Sequence, residues 1–131
     1  MAVEVTCSTN LVSISFRGLD RMLALCRTVD LHTDEITRAI VLPTSEARST
    51  LGLRVGGAYW PSTIATGWFT IRGMRGQLQL WDVYRDEEVL VVETTRPKPA
   101  RIVVQHPERH ELADRIGAMA SGHAGTAPLT R

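Results

Sequence analysis

Apolar and polar side chains alternate in two short runs at the beginning of the chain. The runs cover residues 3–7 and 11–16, and the turn-forming residues 8–10 separate them. A period of two places successive side chains on opposite faces of a β-strand. The pattern therefore predicts a β-hairpin with one buried face.

Residues 19–26 fit two interpretations. Leu19, Met22, Leu23 and Cys26 recur at helical spacing. The segment is short enough, however, to be a third strand. Both interpretations stay open.

A second strand pair is predicted around an acidic turn. Val29 and Leu31 begin a new alternation, and residues 33–35 are typical of a turn. Residues 36–42 are mostly apolar and rich in β-branched side chains, and Pro43 closes the run. This part of the chain therefore predicts two more strands.

Residues 44–61 contain several glycines, a proline and few periodic apolar positions. This composition predicts a long connection, and long loops inside compact domains often carry function. Tyr59 and Trp60 lie near its end. In an exposed loop they would form a partner-binding site, whereas a loop folded back on the protein would place Trp60 against the core.

Three runs with strong strand patterns follow. They cover residues 68–72, 78–84 and 89–92, with polar or glycine-rich turns at 73–76 and 85–88. Strands that follow one another through short turns usually pair in sequence order. We therefore expect a three-stranded meander.

The pattern changes period near the end of the chain. Residues 101–104 form one more apolar run, and Pro107 suits the first turn of a helix. Leu112, Ile116 and Met119 then recur at i, i+4 and i+7. This spacing predicts an amphipathic helix with one apolar stripe.

About seven short strands followed by one helix predict a mainly β fold, in which the helix caps an antiparallel barrel. The chain has 131 residues, which is the size of one domain. Residues 121–131 are small and polar, so we expect a domain at 1–120 and a flexible tail at 121–131.

Several segments also match the pattern of a known family. They are residues 23–27, 35–36, 52–54, 56–57, 67–69, 90–92, 101–104 and 106–107. Over most of residues 3–120 the chain resembles a family of bacterial PH-like (pleckstrin-homology-like) domains. The resemblance implies a PH-like barrel of a shape that binds lipids, peptides or proteins. Members that bind phosphoinositides use a basic first turn, whereas residues 8–10 contain no Lys or Arg.

Composition excludes some classes of function. The formal net charge is +1, which gives no overall attraction to nucleic acid or to an anionic membrane. No positively charged leader begins the chain, and no apolar run approaches the roughly 20 residues that span a bilayer. Cys7 and Cys26 lack a C-x-x-C spacing. We therefore expect a cytoplasmic protein with reduced, buried cysteines.

Signatures of catalysis are weak. The chain has no G-x-S-x-G elbow, P-loop or Rossmann glycine pattern. His106 and His110 are four residues apart and would share a helix face near Glu111 and Asp114, but the glutamate of H-E-x-x-H is missing. We expect no enzyme activity, cofactor or bound metal, and a metal-dependent hydrolase is the third hypothesis.

Basic residues suggest one binding surface. Arg96, Lys98 and Arg101 form the densest basic stretch, and Arg72 and Arg75 lie in another turn that could reach the same end of the fold. Such a patch could bind anions. No aromatic residues interleave with it to stack nucleic-acid bases, so we expect no nucleic-acid partner.

The first functional hypothesis is a non-catalytic interaction module. It would present Tyr59 and Trp60, or a free sheet edge, to a protein partner or to another copy of itself. The alternative is peripheral binding of anionic lipid through Arg96, Lys98 and Arg101.

Overall fold

A computed structural model describes residues 3–16, 28–60, 64–84 and 87–126. These residues form nine β-strands, two α-helices and a short 3-10 helix at Thr33–Glu35. The strands are β1 (Val3–Cys7), β2 (Leu11–Phe16), β3 (Thr28–His32), β4 (Ile36–Pro43), β5 (Leu51–Trp60), β6 (Ile64–Ile71), β7 (Met74–Tyr84), β8 (Glu88–Thr94) and β9 (Arg101–Val104). The helices are α1 (Thr44–Arg48) and α2 (Arg109–Thr126). No helix in the described ranges is long and apolar enough to cross a membrane.

The first three strands form an antiparallel sheet in the order β1-β2-β3. The predicted hairpin is confirmed, with Val5 opposite Ile14 and Cys7 opposite Val12. Val12, Ile14 and Phe16 are buried because they share the inner face of β2. The question of helix or strand at residues 19–26 falls outside the described residues.

The other six strands form a second sheet in the order β4-β8-β9-β7-β6-β5. Two predicted pairings are wrong. β3 pairs with β2 and β4 pairs with β8, so the strands on either side of the acidic turn belong to different sheets. β7 and β8 are not neighbours, because β9 lies between them, parallel to β7 and antiparallel to β8. Of the predicted meander, only the β6–β7 pair is confirmed.

The six-stranded sheet is covered on both faces. Residues 89–92 of β8 and 102–104 of β9 are completely buried. One face packs against the three-stranded sheet and against α2. On the other face, Ala47 of α1 packs with side chains of the sheet itself, among them Phe69 of β6. Burial on both faces explains why these strands are continuous apolar runs and do not alternate.

The amphipathic helix is confirmed. Leu112 and Ile116 are buried in the core, and Met119 packs at its margin. The helix begins at Arg109 and runs to Thr126, so it extends past residue 120, where we expected the tail to begin. Residues 127–131 are outside the described part of the chain.

The long connection predicted for residues 44–61 is wrong. This segment forms α1 and then β5, which pairs with β6 along its length. Glycine in a strand often marks a close approach of neighbouring groups. At Gly52 an added Cβ would collide with the Thr70 hydroxyl of β6, so the residue that suggested a loop is required by the packing of the strand.

A mainly β fold with a C-terminal helix is confirmed, but the expected closed barrel is not formed. No hydrogen-bonded strand pair joins the three-stranded sheet to the six-stranded sheet within the described ranges. The six-stranded sheet therefore ends in two edges, β4 and β5.

Candidate functional site

The edge strand β4 presents backbone groups on its outer side. The N–H of Thr44, just after β4, donates to the Glu87 carbonyl oxygen at 2.7 Å. In an antiparallel ladder such bonds alternate along the strand. The N–H groups of Ile40 and Leu42 therefore face β8, and those of Ala39 and Val41 face away from it.

Two further observations support this assignment. Pro43, which has no N–H, occupies the next outward position, as expected for an edge strand. At the other end, Thr95 N–H donates to the Glu35 carbonyl oxygen at 2.8 Å, and the pairing shifts between Ile36 and Arg38. One extra residue at this β-bulge explains why an odd-numbered residue, Glu35, bonds to the neighbouring strand at this end, whereas even-numbered residues do so along the rest of β4.

Helix α2 forms a groove along this edge. The cavity has a volume of about 660 Å³. It is lined by residues 36–39 of β4 and by Ala113, Asp114, Gly117 and Ala120 of α2. A Cβ added at Gly117 would have the Ala39 carbonyl oxygen as its nearest neighbour, at 3.9 Å. Gly117 of α2 thus lies close to an outward backbone carbonyl, and the groove extends from there along residues 36–39.

The side chains of β4 are unusually apolar for an exposed edge. Ala39 and Val41 lie at the margin of the core beneath α2, and Ile40 and Leu42 lie at the margin of the core on the opposite face. All four are only half-buried. Natural proteins usually protect such an edge with charges, proline or a covering segment. Arg38 and Pro43 protect the two ends of this edge, whereas residues 39–42 between them carry neither charge nor proline and are suited to pairing with another chain.

The predicted basic stretch does not form one patch. Arg96 contacts Glu35 through two hydrogen bonds, at 3.0 and 2.8 Å, and donates to the Asp30 carbonyl oxygen at 2.8 Å. These bonds lower the pKa of Glu35 and raise that of Arg96. The exposed Lys98 lies with its Nζ 5.8 Å from the centre of the Trp68 ring. Arg96 therefore mainly joins the 3-10 helix to the β8–β9 turn.

Arg101 lies apart from these two residues, inside the sheet. Its Nη2 is 3.4 Å from Glu93 Oε2, and Glu93 also accepts two hydrogen bonds from Arg38, each 3.1 Å long. Burial lowers the pKa of Arg101, and its Nε has no hydrogen-bond partner within the described structure. The side chain is therefore committed to an internal ion pair and does not extend the surface of Lys98.

The tip of the β6–β7 hairpin consists of the turn at residues 72–73 and the first three residues of β7, and it is exposed throughout residues 72–76, including Arg72 and Arg75. Met74 at its centre retains 48% of its surface. Gly73 and Gly76 adopt φ angles of 83° and 79°, which residues other than glycine rarely adopt. The sequence identified the two arginines but not the exposed methionine between them.

The predicted histidine pair is separated by the start of α2. His106 precedes the helix and accepts a hydrogen bond from Glu108 N–H through Nδ1 at 3.0 Å. His110 lies in the first turn, with Nε2 3.1 Å from Glu88 Oε1. The expectation that both would share a helix face is wrong, because the helix begins at Arg109. No cluster of three potential ligands for a metal ion occurs in the described ranges.

Tyr59 and Trp60 lie at the end of β5, opposite Ala65 and Ile64 of β6. They belong to a paired strand and not to a loop. Their side chains are outside what the structure describes, so their role in partner binding stays a prediction.

Cys7 is a half-buried free thiol, and its burial raises its pKa. Arg115 opposes this shift, but burial outweighs it and the pKa stays raised. A raised pKa reduces the thiolate fraction at neutral pH, which does not favour Cys7 as a nucleophile. Cys26 is outside the described residues.

No protein-family model matches the chain, and no curated protein and no solved structure is similar to it.

Proposed function

We propose that this protein is a non-catalytic interaction module that binds an extended peptide segment of a partner protein at the edge of β4. The segment pairs with the outward backbone groups of Ala39 and Val41 and adds a strand to the six-stranded sheet. Main-chain hydrogen bonds supply affinity in this mode of recognition, and pockets for alternate side chains supply specificity. The carrying observation is an apolar edge strand that lies beside an open groove.

The groove sets the chemistry of the peptide. Gly117 and Ala120 of α2 leave space next to Ala39, on the face of the sheet that α2 covers. A peptide strand beside β4 would direct alternate side chains to this face. We expect a small or medium apolar side chain to occupy the groove. A mainly β fold with its C-terminal helix beside a sheet edge also supports the PH-like resemblance, which stays part of the proposal.

The test begins with peptides selected from a random 12-residue display library on the immobilised protein. Their dissociation constants are then measured by fluorescence polarisation for the wild type and for Gly117→Leu and Gly117→Ala. Leucine extends into the groove, whereas the methyl group of alanine would make only an ordinary van der Waals contact with the Ala39 carbonyl oxygen, at 3.9 Å. We expect at least tenfold weaker binding for G117L and nearly unchanged binding for G117A, which also favours the helix.

Backbone pairing has its own readout. In the free protein, the outward amides of Ala39 and Val41 should exchange with deuterium quickly, and those of Ile40 and Leu42 slowly. A bound peptide strand should slow exchange at Ala39 and Val41. Peptides that bind equally well to G117L, or that leave these two amides unprotected, contradict the proposal. Protection that appears with rising protein concentration and no peptide would identify a second copy of the chain as the occupant.

A further inference from the structure

The tip of the β6–β7 hairpin, residues 72–76, carries an exposed apolar side chain between two glycines. Among the residues whose burial is described, Met74 is the large apolar side chain that remains exposed, at 48%. Gly73 and Gly76 on either side of Met74 have positive φ angles, which allow the sharp reversal of the chain at this tip. Isolated exposed apolar residues are common on protein surfaces. Met74 differs from them because two exposed arginines flank it.

Two cations flank Met74. Arg72 and Arg75 are exposed, and neither forms an ion pair within the described part of the chain. In the described structure the Arg72 side chain makes only a long hydrogen bond, 3.5 Å, from Nη2 to the Leu51 carbonyl oxygen. The guanidinium groups are therefore not neutralised, in contrast to those of Arg96 and Arg101.

The charged residues that line the cavity beside the tip are also positive. A cavity of about 690 Å³ is lined by Gly52 and residues 70–76, and none of these residues is acidic. An anionic group placed here would meet two arginines without repulsion from a lining carboxylate. Glu93, which lines a second cavity beside Met74, is already paired with Arg38 and Arg101. The tip therefore offers positive charge and an apolar side chain on one small exposed surface.

We propose that residues 72–76 form a contact site for an anionic lipid surface. Met74 enters the interface between headgroups and acyl chains, while Arg72 and Arg75 bind headgroup phosphates. Arginine suits this role because its planar fork forms paired hydrogen bonds with phosphate. The site is separate from Arg96 and Lys98, which lie in the β8–β9 turn, and it does not include Arg101, which lies in β9 and is committed to its ion pair with Glu93. It does not depend on peptide binding at β4.

The test is co-sedimentation of the full chain with phosphatidylcholine vesicles, with and without 30% phosphatidylserine. Each basic residue near an anionic surface contributes about 1 kcal/mol, which corresponds to about fivefold in partitioning. Arg72→Gln/Arg75→Gln should therefore bind phosphatidylserine vesicles about 30-fold less. Met74→Ser should bind about three- to tenfold less, because about half of the side chain is available for burial. Wild-type binding should also fall steeply with salt.

A matched control removes the same charge elsewhere. Arg109→Gln/Arg115→Gln loses two positive charges on α2. Arg109 lies beside Glu88 at the start of β8, whereas Glu93, which lines a cavity together with Met74, lies near the end of that strand. This double variant should keep most of the binding. Equal losses in both double variants would attribute binding to net charge and overturn the proposal. Binding to neutral vesicles alone, the absence of vesicle binding, or binding of inorganic phosphate without vesicle binding would also overturn it.

Discussion

Replacing Gln79 with leucine should lower the free energy of unfolding far more than the same replacement of Gln77, two residues earlier in β7. Gln79 is completely buried in β7, where its side chain joins three elements. Its Nε2 donates to the carbonyl oxygens of Thr50 and Thr70, both at 3.1 Å. Its Oε1 accepts the indole N–H of Trp81 at 2.8 Å. Leucine has a similar volume but can make none of these bonds.

The free-energy cost depends on which hydrogen bonds each partner of Gln79 retains. Thr50 carbonyl oxygen still accepts Arg72 N–H at 2.9 Å, so its loss is small. The buried Trp81 N–H loses its acceptor, which costs about 1–3 kcal/mol. The Thr70 carbonyl oxygen loses a bond worth about 0.5–1.5 kcal/mol. We expect Gln79→Leu to lower the free energy of unfolding by about 3 kcal/mol, a shift of about 2 M in the urea midpoint.

The assay is urea unfolding followed by far-UV circular dichroism. Gln77→Leu is the control, because Gln77 is half-buried in the same strand and makes no side-chain hydrogen bond in the described structure; its cost should stay within about 0.5 kcal/mol. In a Trp81→Phe background, which lacks the indole N–H, Gln79→Leu should cost about 1–3 kcal/mol less. A cost for Q79L below about 1 kcal/mol, or an identical cost in both backgrounds, would refute the reasoning.

Two further predictions concern the ion pair and the helix. Hydrogen bonds from Arg96 and from the His32 backbone lower the pKa of Glu35, so its contribution to stability is present above the unfolded value of 4.5 and is lost as pH falls through the lower folded value. Glu35→Gln should therefore melt below wild type at pH 7, and the gap should close on acidification; a gap that is constant from pH 7 to pH 3 contradicts this, and exposed Glu46→Gln is the control. Ile116 of α2 is completely buried, so Ile116→Ala should cost about 2–5 kcal/mol in urea unfolding. Exposed Glu111→Ala should cost less than about 0.5 kcal/mol, and similar costs for the two variants would mean that α2 does not pack as described.

Local patterns predicted most of the strands, because each depends only on neighbouring residues. The alternation in β2 and the stripe of Leu112 and Ile116 report which face of an element is buried. Pairing is different, since it depends on residues far apart in the chain. Nothing near β7 or β8 indicates that β9 separates them. The glycines of β5 were interpreted as part of a loop for the same reason. Gly52 is explained by its close contact with Thr70, which lies in another strand.

The candidate site was only partly visible in the sequence. A free sheet edge was expected as one option, but the edge could be assigned to β4 only when the sheet order was known. Gly117 carries no local signal of a groove, because its importance comes from its distance to Ala39. Likewise, the charge of Arg96 was read correctly, but its neutralisation by Glu35 depends on contact between distant segments.

The position of β9 sets the order in which this protein can be completed during synthesis. β9 is among the last elements of the chain, yet it lies between β7 and β8 at the middle of the six-stranded sheet. Until residues 101–104 leave the ribosome, β7 and β8 each have an open side rich in apolar residues. Unpaired strands of this kind are prone to aggregate. A nascent chain that stops before Arg101 therefore lacks the centre of its sheet, and such fragments are expected to need chaperone protection.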